Sequence, residues 1–220
     1  MAENDRDLFS RMKKELFSSV IADALDSEGF RNQILRHDIR PLDPDTIVIG
    51  RAMTVLSVDV YTIPDEPYKI ELEAVDALKS NDVLVAQTNG TIRSSLWGEL
   101  LSTAAVYRGA NGAVIDGFTR DTKPIIEMGF PVFARGIAPY DSKGRSDVIA
   151  YNIEIECGGV KVVPGDIIFG DFDGVVVIPR SGEKAVLSAA FKKAQGEKEV
   201  KSALENGMTA TDAFNKYGIL

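Results

Sequence analysis

The sequence is poor in the two side chains that most often bind zinc or take part in nucleophilic catalysis. It contains one histidine, His37, and one cysteine, Cys157. A single histidine cannot build a histidine-rich zinc site within one chain, and a single cysteine cannot form an internal disulfide. His37 lies in an arginine-rich loop far from any nucleophile-elbow motif, which argues against a Ser-His-Asp triad. The missing disulfide agrees with a reducing compartment, so we expect a cytoplasmic protein.

The chain also lacks long apolar runs and a basic stripe. Its apolar runs are strand-sized and flanked by charges, which predicts no membrane-spanning segment, and residues 1–16 lack the apolar core of a signal peptide. The formal net charge is −8, with basic residues scattered among acids, which argues against a nucleic-acid partner. Neither a GxxxxGK[ST] loop nor a GxGxxG turn after a strand is present, so a nucleotide cofactor has no support. We therefore expect a small-molecule ligand, with no nucleic acid and no membrane as partner.

What is present is enough material for one packed domain of the α/β class. The chain has 220 residues, of which 45% are hydrophobic, and it contains no linker-like segment or internal repeat. We expect residues 1–220 to form a single domain. Apolar periodicity predicts helices over residues 3–17, 18–28, 68–78, 122–128 and 183–206, with a short last helix capped by Thr209 or Thr211. It predicts strands over residues 47–57 (with Gly50 as a candidate bulge), 83–86 and 131–135, and a β-rich region over 148–179 with a hairpin at Asp173-Gly174.

The segment that we expect to carry the function is 96–121. Apolar residues recur at helical spacing from Leu96 onward, and Gly109 is a natural end for that helix. Residues 113–115 are short and apolar, as a buried parallel strand would be. Arg120 and Asp121 follow this strand, so they are predicted at its carboxyl end, where open α/β sheets bind their ligands.

A third ionisable residue, Glu99, lies in the first turn of the predicted helix, and the returning chain could bring it close to the other two. Each residue also has a purely structural interpretation. Asp121 could cap the following helix, Arg120 could pair with Asp116 or Asp121, and an acid such as Glu99 is favoured near any helix N-terminus. Only the three together, at this spacing, favour a functional site.

Other candidates have simpler interpretations. Asp171 and Asp173 resemble a calcium loop, but the twelfth position lacks the glutamate that an EF-hand requires, so we expect turn-forming residues. Cys157 is expected to be a buried or turn thiol. Three lysines that could form imines lie among polar or turn residues and are expected to be exposed: Lys123, Lys143 and Lys161.

Taken together, ten stretches resemble the RraA-like superfamily, specifically its 4-hydroxy-4-methyl-2-oxoglutarate aldolase and oxaloacetate decarboxylase branch. These stretches are residues 20–25, 39–42, 50–55, 97–100, 112–117, 120–121, 131–134, 159–160, 164–166 and 170–176. They cover nearly the whole chain, and their order and spacing are more specific than any one of them. The resemblance implies a swivelling β/β/α-type fold with a β-rich core and flanking helices, assembled as a homotrimer or homohexamer.

The resemblance also implies a divalent cation, Mg²⁺ or Mn²⁺, that is bound together with a small 2-oxo acid. By that match Asp121 holds the metal and Arg120 binds the pyruvate-like oxygen. The family carries an acid at the position of Glu99, which is aspartate in the characterised aldolases. A second catalytic acid of the family comes from a neighbouring subunit, and it matches Glu199 here, with Glu197 as the alternative. The substrate carboxylate would be received by backbone amides at Gly98, Glu99, Leu100 and Leu101.

The implied function is that of a carbon–carbon lyase. It would be a class II, metal-dependent pyruvate aldolase that cleaves 4-hydroxy-2-oxo acids such as 4-hydroxy-4-methyl-2-oxoglutarate, with oxaloacetate decarboxylase activity. Two alternatives stay open. Some relatives bind and regulate a ribonuclease without catalysis, and the same scaffold could serve an aldolase or dehydratase for sugar-acid derivatives, whose distal end Arg93 and the loop 140–146 could line.

Overall fold

A computed structural model describes residues 4–219 of the chain as seven helices and eleven strands. The helices are α1 (Asp5–Glu15), α2 (Ser18–Ser27), α3 (Lys69–Asp76), α4 (Glu99–Arg108), α5 (Thr122–Met128), α6 (Glu183–Glu205) and α7 (Ala210–Tyr217). The strands are β1 (Arg40–Pro41), β2 (Val48–Asp59), β3 (Asp82–Gln87), β4 (Ser95–Trp97), β5 (Gly112–Thr119), β6 (Val132–Ile137), β7 (Ser146–Tyr151), β8 (Ile155–Cys157), β9 (Val160–Val162), β10 (Ile167–Asp171) and β11 (Gly174–Ile178). Within this part of the chain, none of the helices has the length and apolar character needed to span a membrane.

Nine strands form one mixed sheet in the order β1-β6-β5-β3-β2-β10-β11, with β4 added to β5 and β7 added to β2. The strands β2, β3, β5 and β6 run parallel, and β1, β7, β10 and β11 are antiparallel to their neighbours. The two ends of the sheet approach each other, since the Arg40 guanidinium on β1 donates to the carbonyls of Phe172 and Asp173 between β10 and β11, both at 2.8 Å. The sheet is therefore nearly closed.

The alternation of side chains along the strands divides the core into layers. On β3, Val83 and Val85 pack inside the curled sheet with β8, β9 and β10, whereas Leu84 and Ala86 pack on the opposite face against α3, α4 and α5. A further layer places α1, α2 and α6 on β2, β10 and β11. This is the α/β fold with a β-rich core and flanking helices that the sequence predicted.

Most predicted elements are confirmed to within a few residues. The helix over 122–128 has the predicted bounds, and Thr209 accepts a hydrogen bond from the Asp212 N–H as the cap of α7. The hairpin at Asp173-Gly174 joins β10 and β11. Asp171 acts in this turn, and its carboxylate also accepts the Ser18 N–H at 2.7 Å at the start of α2.

Two local predictions are wrong. Leu96 is not helical, because Ser95–Trp97 pairs with the end of β5 and the helix begins only at Glu99. Gly50 is not a bulge, because β2 pairs with β10 in unbroken register through it, and the register of β2 shifts instead between Leu56 and Ser57. Gly50 is needed for a close approach instead, because a Cβ there would lie 2.4 Å from the Asn81 carbonyl oxygen.

Candidate active site

A cavity of about 200 Å³ lies where β4 and β5 end, between the first turns of α3 and α4 and the loop that follows β6. This is the carboxyl edge of the parallel strands, where α/β sheets bind ligands. The residues that line it are Tyr68, Glu71, Leu72, Ser95, Leu96, Trp97, Gly98, Leu100, Leu101, Arg120, Asp121, Asp141 and Ser142. The lining thus combines apolar side chains with ionisable ones.

Arg120 enters the cavity directly from the end of β5. Its backbone N–H donates to the Trp97 carbonyl at 2.9 Å, which continues the pairing of β4 and β5 and fixes the direction of the side chain. The guanidinium lies between two carboxylates, with Nε 3.7 Å from Asp121 Oδ2 and Nη1 3.4 Å from Asp141 Oδ1. Asp116, the other partner considered from the sequence, lies instead against Arg36 and Arg135.

Asp121 does not cap the helix that follows it. Its backbone has a left-handed conformation, with φ 54° and ψ 38°, and its side chain makes no capping hydrogen bond to α5. The carboxylate turns towards α4, where Oδ2 accepts the Glu99 N–H at 3.3 Å. A non-glycine residue in this conformation is strained, and such strain is concentrated at functional sites.

Gly98 allows this approach between the two segments. A Cβ on Gly98 would lie 2.7 Å from Asp121 Oδ2 and 3.3 Å from Arg120 Cγ, so no larger residue fits without displacing them. The junction is also held from behind, because Trp97 Nε1 donates to Ser102 Oγ at 2.8 Å and that hydroxyl donates to the Gly98 carbonyl at 3.0 Å. The start of α4 is therefore fixed against the Arg120-Asp121 turn.

The structure brings some of the predicted substrate-binding residues to the cavity. Gly98, Leu100 and Leu101 line it, and Leu100 is 81% exposed at its mouth. The first N–H groups of a helix have no partner within the helix. The N–H of Glu99 donates to Asp121, so those of Leu100 and Leu101 are the ones available to an anion. Glu99 is half-buried and contributes its backbone to the Asp121 contact, but its side chain is not part of the lining.

Glu199 lies on the exposed side of α6, which packs against α2 and α7 rather than against the cavity. Glu197 lies two residues earlier, and its Oε1 is 3.7 Å from Lys193 Nζ. The role assigned to either acid requires a neighbouring subunit, and it stays a prediction. Arg93 pairs with Asp59 at 3.4 Å and is also absent from the lining.

Three ionisable residues of the site were not identified individually from the sequence: Tyr68, Glu71 and Asp141. The Tyr68 hydroxyl donates to Asp141 Oδ2 at 2.7 Å, and burial together with this contact raises the pKa of Tyr68 to about 12. Glu71 is 8% exposed, and burial, assisted by Asp141 and Asp147, raises the pKa of its carboxyl to about 8. Of these three, only Asp141 lies in a segment, the loop 140–146, that the sequence had suggested as part of the substrate site.

The chain also matches a known protein family. The family model described as RraA-like (Aldolase/RraA) matches residues 18–177, which is most of the chain. The chain belongs to the RraA-like family. The match includes all of the cavity-lining residues.

Individual RraA-like relatives carry different names. A protein of Halalkalibacterium halodurans named "Putative 4-hydroxy-4-methyl-2-oxoglutarate aldolase" is 33% identical over 90% of this chain and 89% of its own length. Protein DlpA of Legionella pneumophila is 31% identical over 91% of this chain, which spans only 32% of that longer protein. A solved Streptomyces coelicolor structure, described as an unusual member of the RNase ES inhibitor RraA protein family, superposes with a TM-score of 0.83 at 27% identity and covers 91% of this chain and all of that one.

The donor set of this RraA-like site suits a hydrated oxygen-preferring cation. Among residues 4–219, no group of three or more His, Cys, Asp or Glu side chains is placed to hold a metal by itself. Mg²⁺ is commonly bound through one or two carboxylates together with water and substrate oxygens, and Asp121 supplies one such carboxylate. Cys157, the one thiol, is fully buried, and burial raises its pKa, so it is not a reactive ligand.

Proposed function

We propose that this RraA-like protein is a divalent-metal-dependent pyruvate aldolase for 4-hydroxy-2-oxo acids. The observation that carries the proposal is the position of Arg120 and Asp121. The turn that follows β5 holds both residues on the wall of a cavity, beside the N-terminus of α4. A fixed cation, an adjacent carboxylate and a helix N-terminus are the groups that a 2-oxo carboxylate and its metal require. The name of the Halalkalibacterium relative supports the same activity.

The reaction requires stabilisation of an enolate. When the bond between C3 and C4 of the oxo acid breaks, its electron pair passes into the 2-oxo group, and the C4 hydroxyl becomes a carbonyl as it loses its proton. A divalent cation held by Asp121 would supply Lewis-acid stabilisation of the developing negative charge. Arg120 adds an always-charged hydrogen-bond donor to the 2-oxo oxygen. The turn already fixes the position of Arg120, so the side chain need not reorganise during the reaction.

The remaining groups bind and orient the substrate. The N–H groups at the start of α4, around Leu100 and Leu101, receive the carboxylate, and Leu96 and Trp97 provide a water-excluding wall. We further propose that Glu99 or the Glu199 of a neighbouring subunit accepts the hydroxyl proton, directly or through water. The second of these roles requires a homotrimer or homohexamer, which sedimentation analysis would detect.

Oxaloacetate yields the same enolate when it loses carbon dioxide. We therefore propose an accompanying oxaloacetate decarboxylase activity from the same residues. A regulator that only binds a ribonuclease has no chemical need for an arginine and a carboxylate converging on a cavity. The Streptomyces neighbour nevertheless keeps this alternative worth testing.

The test measures pyruvate release from a panel of 4-hydroxy-2-oxo acids with Mg²⁺ or Mn²⁺. We expect activity that a chelator removes and either cation restores. Arg120→Ala should lower kcat/KM by about 10²–10³-fold, the usual effect of losing one preorganised charge-stabilising donor. Arg108→Ala is the matched control, because Arg108 pairs with Asp76 on an exposed surface outside the cavity.

Three outcomes would contradict the proposal. The first is near-normal turnover by Arg120→Ala. The second is activity that survives chelation and is trapped by borohydride, which would indicate a lysine imine. The third is a complete lack of pyruvate release across the panel, which would favour the binding protein.

A further inference from the structure

Besides Arg120 and Asp121, three ionisable residues line the cavity, Tyr68, Glu71 and Asp141, and we call these three residues the acidic wall. Tyr68 and Asp141 are joined by their 2.7 Å hydrogen bond, which holds the wall together. Glu71 reaches it from α3. None of the three is needed for the enolate chemistry described above.

The charges around the cavity are unevenly distributed. Among the lining residues that the structure describes, Arg120 is the one basic side chain, whereas Glu71, Asp121 and Asp141 are acids. The single guanidinium is already flanked on both sides, through Nε by Asp121 and through Nη1 by Asp141. It can serve the pyruvyl end of a substrate, but no second cation lines the cavity at the acidic wall.

Glu71 is the most informative member of the wall. It is nearly fully buried, and no hydrogen bond from residues 4–219 accounts for its carboxyl, although it lines the cavity. The carboxyl oxygens keep access to the cavity, because among residues 4–219 Asp116 Oδ1 is the one enclosed side-chain nitrogen or oxygen atom that lacks a hydrogen-bond partner. A ligand that displaces water from the Glu71 carboxyl must therefore supply a hydrogen-bond partner. Its raised pKa, about 8, supports a neutral carboxyl at neutral pH, which can both donate to and accept from a hydroxyl group.

We propose that the acidic wall selects substrates whose distal end is uncharged and carries a hydroxyl group, over substrates with a second carboxylate. The inference rests on the proposed aldolase function and narrows it. A second carboxylate at the wall would lie beside the carboxyl groups of Glu71 and Asp141, and the one cation of the described lining, Arg120, is already shared between Asp121 and Asp141. Oxaloacetate and 4-hydroxy-4-methyl-2-oxoglutarate both carry a second carboxylate, so both are expected to be slow substrates.

Two substrates of equal length test this preference directly. 4,5-Dihydroxy-2-oxopentanoate ends in a hydroxymethyl group, and 4-hydroxy-2-oxoglutarate has a carboxylate at the same carbon. With Mg²⁺ present, we expect kcat/KM for pyruvate release to favour the first by about tenfold or more, as an unpaired charge in a desolvated site requires. Equal values, or a preference for the dicarboxylate, would overturn the inference while leaving the aldolase function intact. Pyruvate release from neither would overturn both.

Variants of the exposed rim give a second, independent measurement. Leu72 lines the cavity but is 51% exposed, so a charged residue there can be accommodated without burial. Leu72→Arg should raise the relative kcat/KM for the dicarboxylate by about tenfold, and Leu72→Gln, the uncharged control, should keep the original preference. Asp141→Asn should also reduce the preference for the hydroxymethyl substrate over the dicarboxylate, because it removes the carboxylate at this position and keeps the size of the side chain. If the substrate ratio stays the same in Leu72→Arg and Asp141→Asn, the wall does not set specificity.

Discussion

At the scale of the residue, Glu71 shows how a cavity changes the chemistry of an ordinary side chain. A glutamate on a short amphipathic helix would usually be solvated, but α3 packs against α4 and β7 and removes this carboxyl from water. Burial is the main cause of its raised pKa, and Asp141 and Asp147 add to the effect while Arg120 opposes it. Burial suits the Glu71 carboxyl to binding a hydroxyl group, but it also destabilises the folded state whenever this carboxyl ionises.

The burial of Glu71 predicts how stability depends on pH. The pKa of Glu71 is raised from 4.5 to about 8, so the folded state holds the proton more tightly than the unfolded state. The destabilisation caused by ionising the buried Glu71 is therefore absent below its unfolded pKa, grows as the pH rises, and is complete above its folded pKa. Compared with Glu71→Gln, the wild type should lose on the order of 4 kcal/mol between about pH 5 and pH 9.

Urea denaturation at about pH 5, 7 and 9 measures this difference. Glu73→Gln is the control, since Glu73 is exposed on the same helix and should leave the pH profile unchanged. Parallel profiles for wild type and Glu71→Gln would show that the Glu71 carboxyl is solvated and would remove one support of the acidic wall.

At the scale of the element, the decisive feature is the junction of β4 and α4. The pairing of β4 with β5 places Trp97 beside Thr119, and the Thr119 hydroxyl donates to the Trp97 carbonyl at 2.9 Å. The helix start and the Arg120-Asp121 turn are thereby fixed to the same pair of strands. Their separation depends on the missing side chain at Gly98.

Gly98→Ala is predicted to damage the site while leaving the fold in place. Gly98 has an extended backbone that alanine can adopt, so the penalty comes from the contact of the new Cβ with Asp121. We expect kcat/KM to fall by about 10²-fold, the effect of a misplacement near 1 Å, with little change in the urea midpoint. Gly196→Ala in α6 is the matched control, because its new Cβ would meet only the flexible end of Ile219. Full activity in Gly98→Ala would mean that Asp121 need not approach α4.

At the scale of the whole molecule, Arg51 ties the layers together. From β2, its guanidinium pairs with Asp5 of α1 at 2.6 Å and with Glu183 of α6 at 2.5 Å, and it donates to the Gly165 carbonyl at 3.2 Å. The bonds to the two acids raise the pKa of Arg51, and in return Arg51 lowers that of Asp5. One side chain thus links the first helix, the sheet and the long helix near the end of the chain.

Arg51→Met is therefore predicted to lower the free energy of unfolding by about 2 kcal/mol, a value reduced from that of a fully buried pair because the acids are partly solvated. Since the pKa of Asp5 is lowered, the stabilisation is present above the usual aspartate pKa and is lost on acidification through the folded value. Arg108→Met, which breaks one exposed pair, should change stability by less than about 0.5 kcal/mol. Urea midpoints near neutral pH measure both changes. Equal effects would show that the Arg51 network stabilises the fold no more than one exposed ion pair does.

The sequence by itself determined what local patterns can encode. Apolar periodicity and glycine stops placed α5 and the β10–β11 hairpin, and the buried run at residues 113–115 placed Arg120 and Asp121 at the end of a strand. The resemblance carried by these stretches identified the family that the comparison then matched. These features depend on neighbours along the chain, so one sequence is enough to reveal them.

Only the tertiary structure decided which distant groups meet. Leu96 joined a strand rather than a helix because its segment pairs with the end of β5, and no local pattern records that pairing. Glu71, Arg120 and Asp141 are far apart in sequence, and the closing of the sheet and the packing of α3 bring them to one cavity. The charge balance of that cavity, and with it the substrate preference proposed above, follows from burial and proximity, which exist only in the folded chain.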